Sequence, residues 1–320
     1  MRRSLHGLGV QGCPLGCILL RMTHDRATVI ATYSRRMRLR LASGDEVDAR
    51  IKGKRLKPVC GDLVVAEPID AESDWLITEI ADRRNELTRP NMRGQVEVLA
   101  ANLDYLVVVA AAEPKPDWYI VDRYLCAAEV MHIDAAVVHN KTDLESGVSE
   151  IDELANYQKI GYDVVNCSAI DGTGISALLE ILKDRCTIIV GQSGVGKSSI
   201  INQLTGDPSQ KTSTISEKTG EGRHTTVNSA MITLPGGAHV IDSPGVRDYA
   251  PALGSSTIAA QGFREITAAA QSCRFANCQH LREPGCAVKS GVDEGGISSR
   301  RYESYKRIIN LTEQLSAGKY

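Results

Sequence analysis

The chain has 320 residues, 42% of them apolar and 24% charged, the composition of a globular protein with about two or three domains. Collagen, coiled coil and bulk disorder are excluded, and no apolar run approaches the roughly 20 residues that a membrane-spanning helix needs. The net charge of −2 conceals a segregation, because residues 1–60 hold 13 Lys and Arg against 4 Asp and Glu. A basic N-terminal module therefore precedes an acidic body, which suits a polyanionic partner such as nucleic acid or forms a solvated face.

In chain order, the Leu8–Leu20 stretch after Met1-Arg2-Arg3 imitates a signal peptide, but Gly7, Gly9, Gly12, Pro14 and Gly16 interrupt it. Residues 1–22 are expected to be a frayed extension. Nine cysteines cannot all pair, so reduced thiols and a cytoplasmic location are expected. Short β-like runs then follow at Thr28–Ile30, Met37–Leu41, Val47–Ile51, Asp62–Ala66 and Trp75–Ile80, which predict a small β-barrel. In the second run the period of two puts Met37, Leu39 and Leu41 on one face and Arg36, Arg38 and Arg40 on the other. That predicts a basic sheet face and makes the three arginines candidate RNA contacts. Leu87-Thr88-Arg89-Pro90 marks the crossing to a second domain.

From about residue 100, apolar strands alternate with amphipathic helices: Tyr105–Ala110, a helix after Pro116-Asp117, Ala135–His139, a helix near Ile151–Lys159, Asp163–Cys167, a helix from Ile175, and Cys186–Val190. This alternation predicts a parallel sheet covered on both faces. Gly191-Gln192-Ser193-Gly194-Val195-Gly196-Lys197-Ser198, followed by Ser199, satisfies the phosphate-loop pattern between a strand and a helix. Its backbone N–H groups would close around phosphate oxygens, Lys197 would sit at the β/γ-phosphates, and Ser198 would offer its hydroxyl to Mg²⁺.

Asn140-Lys141-Thr142-Asp143 ends a strand where a base-reading loop belongs. The Asp143 carboxylate can accept from guanine's N1–H and exocyclic amine, a donor pair that adenine lacks. Asn140 can brace the loop, and the Lys141 stem can cover the ring. Asp242-Ser243-Pro244-Gly245 ends another strand, placing a carboxylate for Mg²⁺ and a glycine N–H toward the γ-phosphate. The polar stretch Asp207–Asn228 between these phosphate elements is expected to be a mobile loop, with Thr225 or Thr226 completing the Mg²⁺ shell; Thr226 is taken as that ligand. The position after Gly245, where many GTPases carry a water-orienting Gln, is Val246, and His224 is the nearest polar substitute. Catalytic roles thus fall on Lys197, Thr226, Asp242 and His224.

The order of these elements is unusual. In ordinary GTPases the phosphate loop comes first, whereas here Asn140–Asp143 and the Cys167-Ser168-Ala169 loop precede Gly191, which is a circular permutation. Further on, Cys273-x4-Cys278-x-His280-x5-Cys286 sets three thiols and an imidazole within fourteen residues, suited to a closed, structural Zn²⁺ site. A helix over Arg300–Leu315 carries Arg300, Arg301, Lys306 and Arg307 and reads as basic.

With these motifs in this order, the sequence resembles the bacterial small-subunit-dependent GTPases of the RsgA/YjeQ family. The resemblance spans about residues 25–315 and implies an OB-fold RNA-binding domain (23–88), a circularly permuted GTPase domain (89–255) and a zinc-binding domain (256–320). It implies GTP hydrolysis, slow until the subunit stimulates it, in late maturation of the small ribosomal subunit. The partners would be GTP or GDP and rRNA, with no membrane and the chain acting as a monomer. It also points to His224 as the hydrolytic residue. The rivals are a P-loop kinase, against which Asp143 argues, and an RNA-binding module with a vestigial nucleotide site.

Overall fold

The computed structural model describes residues 25–316, apart from 35, 54, 71, 91–94, 145–146, 207–226 and 244–253. Thus the extension 1–22, His224, Thr225, Thr226 and Gly245 lie outside the described residues. Among those described, no helix is long and apolar enough to cross a membrane.

Five strands, β1 (Asp25–Tyr33), β2 (Met37–Leu41), β3 (Glu46–Ile51), β4 (Leu63–Pro68) and β5 (Trp75–Ile80), close in the order 1-2-3-5-4-1. The β3–β5 pair is parallel and its neighbours antiparallel, the strand arrangement of an OB-fold barrel. Alternation drives closure: Val29, Leu39, Ala49, Val64, Ala66 and Ile77 point inward and are essentially inaccessible.

The expected basic face is corrected by register. β2 pairs β3 so that Arg38 lies opposite Asp48 and Arg40 opposite Glu46, and cross-strand neighbours of opposite charge pair. Arg38 binds Asp48 at 3.0 Å and Arg40 binds Glu46 at 3.1 Å, while Arg36 reaches Asp74 at 3.8 Å. The surface is a lattice of ion pairs rather than a field of free positive charge.

A hairpin of β6 (Glu86–Pro90) and β7 (Val96–Ala101) links barrel to sheet, so the boundary expected between residues 88 and 89 falls inside β6. The central sheet runs β10 (Asp163–Asn166), β9 (Asp134–Asn140), β8 (Tyr105–Ala111), β11 (Cys186–Gly191), β13 (His239–Asp242), β12 (Val227–Thr233). The first five are mutually parallel, so their carboxyl ends share one edge. Both faces are buried, which explains the unbroken apolar strands. Leu106, Val108 and Ala110 of β8 face α1 (Trp118–Met131), whereas Val107, Val109 and Ala111 face α3 (Ile175–Leu182) and α4 (Lys197–Thr205). α2 (Val148–Lys159) lies between β9 and β10 in sequence and packs on β10. β12 pairs with β13 on one side and with β1 on the other, joining the barrel and the central sheet edge to edge.

The C-terminal helices, α5 (Ser256–Ala260), α6 (Arg264–Ala270), α7 (Ala287–Asp293) and α8 (Ser299–Ser316), do not build a separate core. Phe263, Ile266, Val288, Tyr305, Ile308 and Ile309 join the same cluster as α1 and β8. The basic helix expected over Arg300–Leu315 is corrected as well, because its first two arginines turn inward. Arg301 is 1% exposed. It binds Asp122 of α1 at 2.6 Å and Glu265 of α6, and Arg300 binds Asp122 at 2.6 Å and Glu153 of α2 at 2.7 Å. Lys306 pairs with Glu303 on the same helix.

Candidate nucleotide site and metal centre

β11 delivers the loop from Gly191 to Gly196, and α4 begins at Lys197. Gly196 has φ +93°, and a Cβ there would lie 2.3 Å from Asn140 Nδ2, so both the turn and the close approach require glycine. Lys197 Nζ folds back over the loop and donates to the carbonyls of Gly191 and Gln192, each at 2.7 Å. Gln192 Oε1 accepts from the Asp117 N–H at 3.4 Å, and Asp117 caps α1. Ser193 and Gly194 are exposed, Val195 is buried, Ser198 is half-buried and Ser199 is exposed.

Asn140 at the end of β9 is buried and ties three loops together. Its Nδ2 donates to the Val195 carbonyl at 2.8 Å, and its Oδ1 accepts from the Ala169 N–H at 3.1 Å. Ser168 Oγ donates to Asp143 Oδ1 at 2.9 Å, and Thr142 donates through both its N–H and its hydroxyl to the Cys167 carbonyl. Asp143 itself is exposed at the rim. Lys141 has φ +63° and donates from Nζ to the Glu113 carbonyl at 2.6 Å. Burial pushes the Cys167 thiol up to about 11, so it is an inert wall of this loop. Asp242 stands at the same edge, at the end of β13 beside β11, and the next residue, Ser243, is buried and hydrogen-bonded to Ser229 at 2.9 Å.

Two contributors escaped the sequence reading. The 113–117 segment after β8 supplies the Glu113 carbonyl and sets Pro114 against Gly194, with Pro114 Cδ 3.5 Å from where a Cβ would stand. Its signal was the Pro114-Lys115-Pro116 punctuation at the carboxyl end of an apolar strand. Gln203 of α4 is the other, donating to the Ala169 carbonyl at 2.9 Å.

The second cluster lies in the C-terminal region. The ligand atoms of Cys273, Cys278, His280 and Cys286 all lie within 4.8 Å of one another. His280 Nδ1 is 3.5 Å from the sulfurs of both Cys273 and Cys286, and those sulfurs are 4.0 Å apart. A tetrahedron with metal–sulfur bonds of about 2.3 Å has edges of about 3.8 Å, so the four donors fit one metal ion and leave no open position. Burial lowers His280, favouring the neutral imidazole that ligation needs. Burial tends to raise Cys273, but the N–H groups of Ala287 and Val288 and the other two thiols draw it below its ordinary value. Tyr302 and Tyr305 of α8 hold the loop from outside, donating to the carbonyls of His280 and Gln279.

Five parallel strands whose carboxyl ends carry a phosphate loop, an Asn-Lys-x-Asp loop and Asp242, with the phosphate loop after the base loop in sequence, define a circularly permuted P-loop GTPase. The model of the RsgA GTPase family matches residues 80–251. The chain is 38% identical over 266 residues to the small ribosomal subunit biogenesis GTPase RsgA of Marinobacter nauticus, covering 81% of this chain and 76% of that one. To its counterpart in Azotobacter vinelandii it is 40% identical over 254 residues, covering 78% and 74%. The crystal structure of YjeQ from Thermotoga maritima superposes with a TM-score of 0.70 at 27% identity over 90% of this chain and 98% of that one. YloQ, described as a circularly permuted GTPase, gives 0.69 at 25% identity over 92% and 97%. The chain belongs to the RsgA GTPase family.

Proposed function

We propose that this protein hydrolyses GTP to GDP and phosphate and uses nucleotide state to control its docking on the rRNA of the maturing small ribosomal subunit, as a cytoplasmic monomer. The observation that carries the reading is the Asn140 brace, which locks the phosphate loop, the base loop and the Ser168-Ala169 loop into one edge. In this reading Gly191–Ser199 cradles the phosphates with Lys197 on the β/γ oxygens, and Asp143 reads guanine with Asn140, Lys141, Thr142, Ser168 and Ala169 shaping the pocket. Ser198, Thr226 and Asp242 would hold Mg²⁺, which neutralises charge developing on the phosphates. Gly245 would turn its N–H toward the γ-phosphate, Thr225 would be the alternative to Thr226, and His224 would orient the attacking water.

The Cys273, Cys278, His280 and Cys286 set suits zinc as a structural ion. On the barrel, Arg36, Arg38 and Arg40 would meet RNA by exchanging their carboxylate partners for phosphates, a weaker contribution than free cations make.

The test is GTP turnover with and without purified small subunits, together with metal analysis of protein prepared without chelator. Slow turnover that subunits accelerate, one equivalent of zinc, and loss of at least tenfold of the stimulated rate in His224→Ala are expected. Absence of turnover under both conditions refutes the reading.

A further inference from the structure

The chain has two phenylalanines. Phe263 is buried in the core, whereas Phe275 is 40% exposed at the tip of the loop between the first two metal-ligand cysteines. A single exposed aromatic is ordinary on a protein surface, but this one stands on a hydrogen-bonded turn with an arginine over its ring. The Arg274 N–H donates to the Gly285 carbonyl at 3.3 Å and the Cys278 N–H donates to the Phe275 carbonyl at 3.2 Å, so the backbone beneath the ring is fixed. The Arg274 guanidinium lies over the ring, 5.5 Å from its centroid. Arg282 of the same Cys273–Cys286 loop is exposed, and so are the neutral Asn277 and Gln279. The carboxylate in the loop, Glu283, is taken up by the N–H groups of Gln279, Leu281 and Arg282 at 3.0 Å each.

An outward ring with one arginine over it and a second arginine exposed in the same loop matches what recognises unpaired nucleic acid: an aromatic face stacks on a base of any identity while guanidinium groups meet the flanking phosphates. The face also differs from the barrel's arginine strand, where each cation already holds a carboxylate. We infer that the Cys273–Cys286 loop is a stacking site for one unpaired RNA base, with Phe275 supplying the ring face and Arg274 and Arg282 the phosphate contacts. The inference rests on the reading of this chain as an rRNA-docking GTPase.

The experiment uses the full, metal-loaded chain and fluorescence anisotropy with a labelled eight-nucleotide single-stranded RNA, with the same strand annealed as a duplex, and with purified small subunits. Phe275→Ala is expected to weaken single-strand binding about tenfold or more while metal content and basal GTP turnover stay unchanged. Phe275→Trp should restore affinity and show indole emission quenched by RNA. Arg274→Gln and Arg282→Gln should each lower the slope of log affinity against log salt by about 0.7. Unaltered single-strand binding by Phe275→Ala overturns the proposal, as does equal loss for the duplex. Loss confined to the intact subunit, with RNA binding intact, also overturns it and assigns the loop to a protein partner. Failure of the parent chain to bind subunits, with Phe275-dependent binding of single strands retained, supports this site while refuting the ribosomal reading.

Discussion

Arg301→Met should be among the most damaging single substitutions outside the nucleotide site. The side chain is 1% exposed and makes three charge-assisted hydrogen bonds: Nη1 to Asp122 at 2.6 Å, and Nε and Nη2 to the two oxygens of Glu265, the latter at 3.1 Å. Methionine keeps much of the apolar contact with Phe263 and Tyr157, over whose rings the guanidinium lies at 5.0 and 5.4 Å. Asp122 retains Arg300 at 2.6 Å and the Tyr157 hydroxyl at 2.7 Å, whereas Glu265 is left largely buried without its cation. Breaking a buried pair from one side costs about 3–5 kcal/mol, and with one of the two carboxylates still held, a loss of about 3–4 kcal/mol is expected. That is about two to three orders of magnitude in the folding constant.

Urea unfolding read by tryptophan fluorescence suits the test, because Trp118 sits 5.9 Å from Tyr157 in the same layer. The midpoint should fall at unchanged slope. Adding Glu265→Gln should recover part of the loss, since it removes the stranded charge. A loss below about 1 kcal/mol for Arg301→Met would refute the reasoning, showing that relaxation or water already serves these carboxylates.

Three further outcomes follow from other sites. Asp143→Asn should weaken GTP and admit xanthine nucleotides, because an amide can donate to the carbonyl that a carboxylate repels; nucleotide competition measures this, and unchanged GTP affinity would count against the base assignment. Gly196→Ala places a methyl 2.3 Å from Asn140 Nδ2 on a backbone with φ +93°, so calorimetric titration should show GTP affinity down by about tenfold or more, while Gly44→Ala, where nothing lies within 4 Å, should leave it unchanged. His139, buried beside Asn140, is held below its ordinary value by burial, which outweighs the attraction of Glu150. The unfolded chain therefore takes up the proton first, so this group's stabilisation is complete above about pH 6.5 and declines as pH falls below it; His139→Gln should flatten that part of a stability–pH profile.

The phosphate loop, the base loop and the Cys/His cluster were legible because each is a short motif whose geometry is local: Gly196 must be glycine for its own turn, and Cys273 to Cys286 lie within one loop. The parallel sheet was legible from continuous apolar strands. What escaped depends on partners distant in sequence. Nothing near Arg38 says that Asp48 will face it, since that needs the β2–β3 register. Arg300 and Arg301 read as part of a basic helix because their partners, Asp122, Glu153 and Glu265, sit on three other helices. β12 was hidden within and beyond a stretch read as polar loop, since Val227-Asn228-Ser229-Ala230 shows neither a clean alternation nor an apolar run. The small helices α5 to α7 carry too few turns for a period to show.

The junction of β12 with β1 also bears on how this protein can be dissected. A GTPase core cut free of residues before about 85 would bare the edge of β12 that now pairs with β1 through Ala230, Ser229 and Val227. Unpaired N–H and C=O groups in a row recruit other strands, so such a fragment should self-associate rather than behave as a smaller enzyme. It would also lose the Arg40 side chain that donates to Thr233 across that seam at 3.0 Å. The barrel is thus the cap on a sheet that would otherwise be open, and truncation studies need a replacement edge, such as a charged or proline-bearing β12, before loss of function can be ascribed to loss of RNA contacts.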